Sequence, residues 1–396
     1  MPAGSTIRIA YIHTQPFGAL EAGTVFVTNA VRGLAEAGAK TLLIVPDGGR
    51  SESAVLEQLG LSAHPDMKIK PLPSLRLRVG PFRPSWAGPF RGTASAAARA
   101  FNADAVMCRD LKVAQRLLAD RFPGRIIFEA HNVYGFGENR EDLAFFPKEK
   151  LAMHKTRIPR ETKVFAGVDG IITLTQGLAD LLLKTRPLSQ RVLAAGSACR
   201  PLTDPPGTAD RRHIAYVGAL DPHKGVGSLV RALGSVPQPA RLLIFGKGRH
   251  VQTVKEMAKT AGVLDRIDFA GFVPPVRLPD HLARCRAGAV PLVDCFYNRY
   301  VTSPMKVFDY LASGVPPAVP DFPVFREIFP DPSAALFFEP GNDESLAGAL
   351  TELFRDDGTF RRRHLAALHQ ASEWTWAARG AKVLEFTKKL AKRNLG

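Results

Sequence analysis

Residues Thr302–Gly314 combine, in one predicted helix, residue types that can bind a phosphate and a sugar. Ser303 is a favoured N-cap residue, Pro304 suits the first helical position, and Gly314 suits the left-handed residue that ends a helix. Free amide N–H groups and the positive end of the helix dipole therefore collect at Ser303–Met305. This helix start is predicted to bind a phosphate.

Two charged residues of the same predicted helix, Lys306 and Asp309, are three positions apart and so lie on one face. Lys306 can add positive charge against the phosphate, and Asp309 can accept hydrogen bonds from a pair of sugar hydroxyls. Met305, Phe308 and Ala312 form a different, apolar face that can pack on a sheet. The alternative is an amphipathic helix with two solvated charges.

A histidine stands at the end of a predicted buried strand over 125–132, in the sequence Glu-Ala-His-Asn. Open parallel sheets bind ligands at the carboxyl ends of their strands. His131 could therefore donate a hydrogen bond to a phosphate or a sugar hydroxyl, or shuttle a proton. A structural histidine that is satisfied by a loop carbonyl is the alternative.

Strand and helix patterns alternate in both halves of the chain. In the first half, a strand at 6–13, a helix at 24–37 and a strand at 41–45 predict a right-handed βαβ unit. Gly18 and Gly23 lie near its first loop, where they could let a ligand approach the backbone or could be turn glycines without a function. Their spacing is not G-x-G-x-x-G, so no dinucleotide fingerprint is predicted.

The stretch 185–212, which is rich in proline and glycine, is the predicted linker to a second α/β half. The second half is predicted to contain strands at 212–218, 242–248, 267–273, 287–292 and 314–319, and helices at 228–233, 343–353 and 361–395. Alternation in both halves predicts an α/β protein with two doubly wound domains.

A basic and aromatic segment, residues 67–92, breaks the alternating pattern. It contains cationic and aromatic residues and no acidic residue: Lys68, Lys70, Arg76, Arg78, Phe82, Arg83, Trp86, Phe90 and Arg91. Such a mixture suits an anionic membrane surface or a single-stranded nucleic acid. A solvated, irregular loop is the alternative.

The formal net charge of +16 favours association with anions: nucleic acid, an anionic membrane surface or phosphate-bearing substrates. It does not choose among them. The 396 residues, 45% apolar and 23% charged, are enough for two domains of an ordinary globular protein. No run reaches the length of about 18 apolar residues that spans a membrane.

The cysteines form no C-x-x-C pair; they are Cys108, Cys199, Cys285 and Cys295. This pattern predicts a reduced, cytosolic compartment without structural zinc. The N-terminal residues lack the basic start and apolar core of a signal peptide. The sequence also has no D-x-D motif, so neither a metal ion nor another cofactor is predicted.

Five motifs of the second half, in this order and spacing, resemble retaining family 4 glycosyltransferases, with the clearest likeness from Ile214 to Glu327. They are Tyr216-Val217-Gly218, Lys224-Gly225, Phe245-Gly246-Lys247-Gly248, Phe269-Ala270-Gly271-Phe272 and Lys306-Val307-Phe308-Asp309-Tyr310-Leu311-Ala312-Ser313-Gly314. Trp374 also resembles the family's tryptophan before its last helix.

The resemblance implies the GT-B fold, in which two Rossmann-like domains face each other across a cleft. The expected domains are an acceptor-side domain at 1–198, a nucleotide-sugar-binding domain at 199–376, and a C-terminal helix at 377–396 that crosses back to the first domain.

The resemblance also implies roles for the residues of the motifs. Lys224, assisted by Lys306 and the Ser303–Met305 helix start, would neutralise the diphosphate of a nucleotide-sugar. Asp309 would hold the ribose, and His131 would lie near the transferred sugar. The remaining implied donor-binding positions are the backbone of Phe272 against the base and the glycines Gly18, Gly23, Gly246 and Gly248.

Three positions depart from the family's pattern. Val301 stands where the first acidic residue of the E-x7-E element is expected, and Ala219 stands where an arginine usually precedes the Lys-Gly pair. Asp309 replaces the second glutamate and is shorter by one methylene. Branches of the family with a Ser-Pro-x-Lys element tolerate the first change.

The prediction from sequence is thus a retaining, metal-independent glycosyltransferase in the cytoplasm, peripheral on the inner membrane face through residues 68–91. Its expected partners are a nucleotide-sugar donor and a glycan or lipid-linked acceptor. The alternatives are an enzyme with a soluble acceptor, an epimerase-like enzyme with the same donor pocket, and a non-enzymatic sensor or scaffold. Binding to nucleic acid is disfavoured because no recognised module is present.

Overall fold

The computed structural model describes residues 6–73, 75–76, 85–86, 88–135, 148–185 and 191–392. The chain divides into two compact units. The first contains Met1–Gly137, Lys148–Gly196 and Trp376–Gly396, and Ser197–Thr375 belongs to the second. Three members of the predicted basic and aromatic segment, Arg78, Phe82 and Arg83, lie outside the described residues.

The described strands are β1 (Arg8–Ile12), β2 (Lys40–Pro46), β3 (Met67–Leu72), β4 (Leu75–Arg76), β5 (Ser85–Trp86), β6 (Ala105–Cys108), β7 (Arg125–Ala130), β8 (Gly170–Thr173), β9 (Val192–Ala194), β10 (His213–Val217), β11 (Leu242–Phe245), β12 (Ile267–Gly271), β13 (Cys285–Ala289), β14 (Pro317–Pro320) and β15 (Leu336–Phe338).

The described helices are α1 (Ala22–Glu36), α2 (Glu52–Gln58), α3 (Gly88–Ala100), α4 (Leu111–Ala119), α5 (Lys148–Gly167), α6 (Gln176–Thr185), α7 (Val226–Ala232), α8 (Val251–Thr260), α9 (Leu278–Leu282), α10 (Met305–Ala312), α11 (Pro323–Ile328), α12 (Asp343–Arg355), α13 (Asp357–Glu373) and α14 (Trp376–Lys392).

The first unit is built on a parallel sheet with the strand order β3-β2-β1-β6-β7-β8-β9. Its central strands are buried along almost their whole length, as strands covered by helices on both faces must be. The strand order reverses between β1 and β6, where Ile12 pairs with Cys108. The residues that follow these two strands therefore flank the point at which open α/β sheets bind ligands.

The second unit repeats this plan with the parallel strand order β12-β11-β10-β13-β14-β15. The order reverses between β10 and β13, so the loop after Val217 flanks the corresponding point. Apolar residues of α7 and α12 pack on one side of this sheet, and those of α10 and α11 pack in a separate cluster. The prediction of two doubly wound α/β domains is confirmed.

The start of α10 corrects the predicted capping. The helix begins at Met305, and Pro304 rather than Ser303 occupies the N-cap position. The Ser303 hydroxyl instead accepts a hydrogen bond from the Ser197 amide at 2.9 Å, because a tertiary partner is available. Gly314 has the expected left-handed backbone, with φ of 62°.

Several predicted boundaries were wrong. The predicted linker contains the short strand β9, which adds an edge to the first sheet. The predicted helix at 361–395 is two helices, α13 and α14, because Trp374 leaves the helical conformation and the Cys199 amide donates to its carbonyl oxygen. In the basic and aromatic segment, Lys68 and Lys70 belong to β3 rather than to an irregular loop.

Candidate functional site

In the second unit, Lys224 lies in the loop that follows β10. A 3-10 turn, Pro222–Lys224, ends at Gly225 in the left-handed conformation. Only glycine fits there, because a Cβ atom would lie 1.6 Å from the carbonyl oxygen of Pro291. Burial lowers the pKa of Lys224, while the nearby charge of Asp221 acts to raise it. The turn therefore holds a partly desolvated ammonium group at the end of the sheet.

Lys306 supplies a second cation close to Lys224. Its side chain is only 8% exposed, and its Nζ lies 4.0 Å from the centre of the Tyr216 ring. Nζ has no hydrogen-bond partner among the residues that the structure describes. Burial lowers the pKa of Lys306 well below its ordinary value, and the charge of Lys224 lowers it further. A buried cation without a hydrogen-bonded counter-ion is suited to receive an anion.

Asp309 lies one turn further along α10 and has an unusual acidity. Burial raises the pKa of its carboxyl group to about 7, although the charges of Arg200 and Lys306 act in the opposite direction. The carboxyl group therefore changes charge near neutral pH. It has the hydrogen-bonding capacity to receive a pair of hydroxyl groups.

The start of α10 is the position at which the sequence predicts a phosphate. In the described structure, no side chain caps this end and its first turn contains no acidic residue. The Ser197 amide donates to the Ser303 Oγ, and the Ser197 hydroxyl donates to the Ser303 carbonyl oxygen, so the Ser303 hydroxyl keeps only its O–H donor and one lone pair for a ligand. Backbone N–H groups near Met305 and the helix dipole are what this end can offer.

The predicted glycines of the second unit bring two loops together. A Cβ atom on Gly246 would lie 1.8 Å from the carbonyl oxygen of Gly218, so the loops after β11 and β10 touch backbone to backbone. Gly248 approaches the amide of Leu220 in the same way. Phe272 follows β12 with 45% of its surface exposed, and Nζ of Lys247 lies 5.3 Å from its ring centre.

Two departures from the family pattern have structural roles. Val301 is fully buried at the end of a π-helical turn, Tyr297–Val301. The carbonyl oxygen of Ala219 accepts a hydrogen bond from the Tyr216 hydroxyl at 2.7 Å. Neither side chain can replace the acidic or cationic group of the family pattern.

Asn298 was missed by the sequence analysis. Its buried amide donates to the carbonyl oxygens of His223 at 3.0 Å and Val293 at 2.8 Å, which ties the π-helical turn to the loop of Lys224. A single asparagine without a motif carries no signal in the sequence.

In the first unit, polar residues follow three neighbouring strands. His13 follows β1, Arg109 follows β6, and His131 follows β7, so all three lie at one edge of the sheet. Burial is the main cause that lowers the pKa of both histidines, to about 3 for His13, and the charge of Arg109 acts in the same direction. Both imidazoles are therefore neutral near pH 7.

Gly18 and Gly23 lie beside this edge. Gly18 has a φ of 98°, and Gly23 lies in the first turn of α1. A Cβ atom on Gly23 would lie 2.4 Å from Oε1 of Gln15 and 3.3 Å from Nη1 of Arg109. Gln15 also contacts Nε2 of His13 at 3.2 Å. The absence of a side chain on Gly23 thus permits this polar cluster.

His131 is linked to a buried glutamate. Its Nε2 lies 3.0 Å from Oε2 of Glu129, which also accepts a hydrogen bond from the Tyr11 hydroxyl at 2.5 Å. Arg379 of α14 donates to the other oxygen, Oε1. Burial alone would raise the pKa of Glu129, but the charges of Arg379 and His131 lower it below its ordinary value. Glu129 therefore stays ionised.

The described residues contain neither a candidate metal cluster nor a helix that could span a membrane. No group of three or more His, Cys, Asp or Glu residues in this part of the chain could hold a metal ion. None of its helices is long and apolar enough to cross a membrane.

Known proteins with similar sequences cover about half of this chain. Residues 205–369 match the family described as Glycosyl transferases group 1. A GDP-mannose-dependent alpha-(1-6)-phosphatidylinositol monomannoside mannosyltransferase of Mycolicibacterium smegmatis is 28% identical over 185 residues, which cover 45% of this chain and 48% of that protein. The O-antigen chain mannosyltransferase B of Escherichia coli is 22% identical over 213 residues, 52% of this chain and 54% of that protein. The chain thus spans about half the length of these curated relatives.

Solved structures match over nearly the whole chain. Sucrose-phosphate synthase from Thermosynechococcus elongatus has a TM-score of 0.71 at 17% identity, covering 97% of this chain and 99% of that one. An Anabaena protein, HepE, in complex with UDP and glucose has a TM-score of 0.68 at 14% identity, covering 98% and 99%. The chain therefore has the GT-B fold, and residues 205–369 are similar to the group 1 glycosyltransferases.

Proposed function

We propose that this protein transfers a sugar from a nucleotide-sugar donor to a glycan or lipid-linked acceptor, with retention of the anomeric configuration. The observation that carries the proposal is the pair of desolvated cations, Lys224 and Lys306, beside the uncapped start of α10. Lys306 in particular is buried without a hydrogen-bond partner among the described residues. A diphosphate supplies the negative charge that this arrangement lacks.

The chemistry follows from where negative charge develops. When the bond between the sugar and the diphosphate breaks, charge grows on the departing oxygen, and fixed cations and backbone N–H groups stabilise it. The acceptor oxygen forms the new bond on the same face, and its proton goes to the departing diphosphate. Lys224, Lys306 and the start of α10 would supply the stabilisation without a metal ion.

We expect turnover to stay unchanged after dialysis against EDTA. Turnover that is lost and then restored by Mg²⁺ would contradict metal independence.

The remaining site residues fit the rest of a donor. Asp309, whose pKa is about 7, would accept hydrogen bonds from the ribose hydroxyls. The backbone at Phe272 would lie against the base, and His131 would contact the transferred sugar. GDP-mannose is named for the relative of Mycolicibacterium smegmatis, so a GDP-hexose is the first donor to test.

The decisive experiment measures binding and turnover with a panel of UDP-, GDP- and ADP-sugars, for the wild type and for Lys224→Ala. Selective turnover that is lost in the variant would support the transferase, and the anomeric configuration of the product by NMR would test retention. Release of an epimerised sugar nucleotide would favour an epimerase instead. No binding of any donor would contradict the proposal.

A second candidate function is a non-catalytic sensor of nucleotide-sugars. It is favoured by Val301, which is buried, and by Ala219, because two polar contacts of the family pattern are missing at these positions. This candidate predicts tight binding of one donor without turnover in the presence of any acceptor.

A membrane location of the acceptor is a separate proposal. It rests on the basic residues of 68–91, of which Lys68 and Lys70 are exposed on β3. The double variant Lys68→Glu, Lys70→Glu should float less with liposomes that contain anionic lipid, whereas flotation with neutral liposomes should not change. Equal flotation of the variant and the wild type would remove the support for this location.

A further inference from the structure

We propose that Arg379, Glu129 and Tyr11 are positioning residues that fix the ring and the tautomer of His131. The inference rests on the proposed function, because it concerns the histidine assigned there to the transferred sugar. It adds three residues that neither the sequence motifs nor the comparisons assign, and one of them comes from the last described helix of the chain.

Glu129 is the centre of the arrangement. It is fully buried and lies on β7 two residues before His131. Its Oε2 accepts hydrogen bonds from Tyr11 and from Nε2 of His131, and its Oε1 accepts one from Arg379. Both oxygens are therefore engaged, and the carboxylate cannot rotate without breaking at least two of these bonds.

Arg379 is itself held by the backbone. Its Nε donates to the carbonyl oxygen of Gly196 at 2.7 Å, and its Nη2 also approaches that of Ala195 at 3.3 Å. The guanidinium lies 5.0 Å from the centre of the Phe26 ring. The same phenyl ring meets the His131 imidazole edge to face, with 4.5 Å between the ring centres and 89° between the planes. Phe26 thus restricts the movement of both the Arg379 guanidinium and the His131 imidazole.

The chemical consequence is a defined tautomer. An ionised carboxylate only accepts hydrogen bonds, so His131 must carry its proton on Nε2. Burial keeps the imidazole neutral near pH 7, because it lowers the pKa of His131. Nδ1 then has a free lone pair that can accept a hydrogen bond from a sugar hydroxyl. Glu129 in this way makes His131 an acceptor toward the ligand, as a carboxylate does for a catalytic histidine.

The charged and titratable groups around His131 come from several elements. They are Glu129 on β7, Tyr11 on β1, His13 after β1, Arg109 after β6 and Arg379 on α14. Glu129 is the carboxylate that raises the pKa of His131, while both arginines lower it. Removing the charge of Glu129 should therefore lower the pKa of His131 further and move any acid limb of the kcat profile to lower pH.

The first test does not depend on activity. Imidazole ¹⁵N NMR of the full chain, with the His131 signals identified by their loss in His131→Gln, should show the Nε2–H tautomer in the wild type. In Glu129→Gln the side-chain amide can donate to Nε2, so the Nδ1–H tautomer should become populated. An unchanged tautomer in a folded Glu129→Gln protein would overturn the proposal.

The second test is a double-mutant cycle on donor turnover. Glu129→Gln should reduce kcat by about tenfold to a hundredfold, with a much smaller change in the donor KM. In a His131→Ala background, which keeps only residual turnover, the same change should have little further effect. An equal fold reduction in both backgrounds would mean that Glu129 does not act through His131, and would overturn the proposal.

Two further variants separate positioning from folding. Tyr11→Phe removes one hydrogen bond from Glu129 but leaves its charge pair, so it should fold and show a smaller loss of kcat. Asp169→Asn removes the charge pair with Arg125 at the opposite end of β7, where Nη1 of Arg125 lies 2.8 Å from Oδ1 of Asp169. This control should lose thermal stability without losing kcat. If the wild type turns over no donor, the proposed function fails, while the NMR experiment still decides on the positioning residues.

Discussion

Lys306 connects the stability of the second unit to ligand binding. Because its ammonium group is buried without a hydrogen-bond partner in the described structure, the folded state carries a desolvation cost that an anion would remove. The lowered pKa of Lys306 means that the unfolded chain binds the lysine proton more tightly than the folded chain does. At every pH below the ordinary pKa of a lysine, neutral pH included, this group therefore lowers the free energy of unfolding.

Lys306→Met should therefore raise stability and weaken donor binding in the same protein. We expect the free energy of unfolding without ligand to rise by about 1–2 kcal/mol, since a buried charge is replaced by an apolar chain of similar length. Affinity for a nucleoside diphosphate should fall by about tenfold or more. Thermal unfolding and calorimetric titration measure the two effects.

The matched control for this prediction is Lys259→Met, which changes an exposed lysine in the last turn of α8. It should alter stability by a few tenths of a kcal/mol and leave nucleotide binding unchanged. A Lys306→Met protein that is less stable than the wild type but binds nucleotide normally would contradict the role assigned to Lys306.

Burial of Asp309 predicts a second pH dependence of stability, because burial raises the pKa of this carboxyl group. Its pKa in the folded protein is about 7, above the ordinary value of 3.8, so the folded state holds a proton that the unfolded state has lost between these values. Stability from this group is therefore present at low pH and is lost as the pH rises from about 4 to 7. Asp309→Asn should gain stability relative to the wild type between pH 5 and pH 8, by about 1–2 kcal/mol. A stability difference that is the same at both pH values would contradict this pKa.

At the residue scale, the sequence predicted the positions of site residues that depend only on neighbouring residues in the chain. The spacing of Lys306 and Asp309 put both on α10, and the end of β7 correctly located His131. The sequence could not reveal that Glu129 bonds Arg379, because 250 residues separate them. It also misjudged Ser303, whose local capping preference was overridden by Ser197, a partner 106 residues away.

At the scale of elements, two glycines allow α14 to dock against α1. A Cβ atom on Gly33 would lie 2.1 Å from the carbonyl oxygen of Trp376, and one on Gly380 would lie 2.1 Å from the carbonyl oxygen of Gly33. The helix backbones are therefore in direct contact, and this contact sets the height and rotation from which Arg379 reaches Glu129. The expected last helix, at 377–396, begins one residue earlier in the structure, at Trp376. The sequence did not predict this docking, because a glycine within a helix does not show what faces it.

Gly380→Ala should separate these helices, although alanine favours an isolated helix. We expect a loss of about 2–3 kcal/mol in the free energy of unfolding of the first unit, because backbone atoms cannot move aside as a flexible side chain can. The control is Gly348→Ala in α12, where a Cβ atom would meet nothing within 4 Å. That variant should be more stable by up to about 1 kcal/mol. If Gly380→Ala and Gly348→Ala change thermal unfolding equally, the close contact between the backbones of α1 and α14 does not contribute to stability as predicted.

At the scale of the whole molecule, the excess of positive charge acts on the approach of substrates rather than on their chemistry. The chain has 53 Lys and Arg residues against 37 Asp and Glu residues, and the proposed donor is an anion. Long-range attraction raises the rate of encounter and is screened by salt, whereas contacts inside a desolvated site are screened much less.

Raising the ionic strength from about 0.01 M to 0.15 M, over which the screening length shrinks from about 30 Å to about 8 Å, should lower kcat/KM for the nucleotide-sugar severalfold. The value of kcat should stay nearly constant, because Lys306 and Lys224 are partly or fully removed from the solvent. The KM of an uncharged acceptor serves as the internal control and should not respond. A parallel fall in kcat would mean that solvent-exposed, salt-sensitive charges act on the bond that breaks. That result would contradict the proposal that Lys224 and Lys306 stabilise the departing diphosphate.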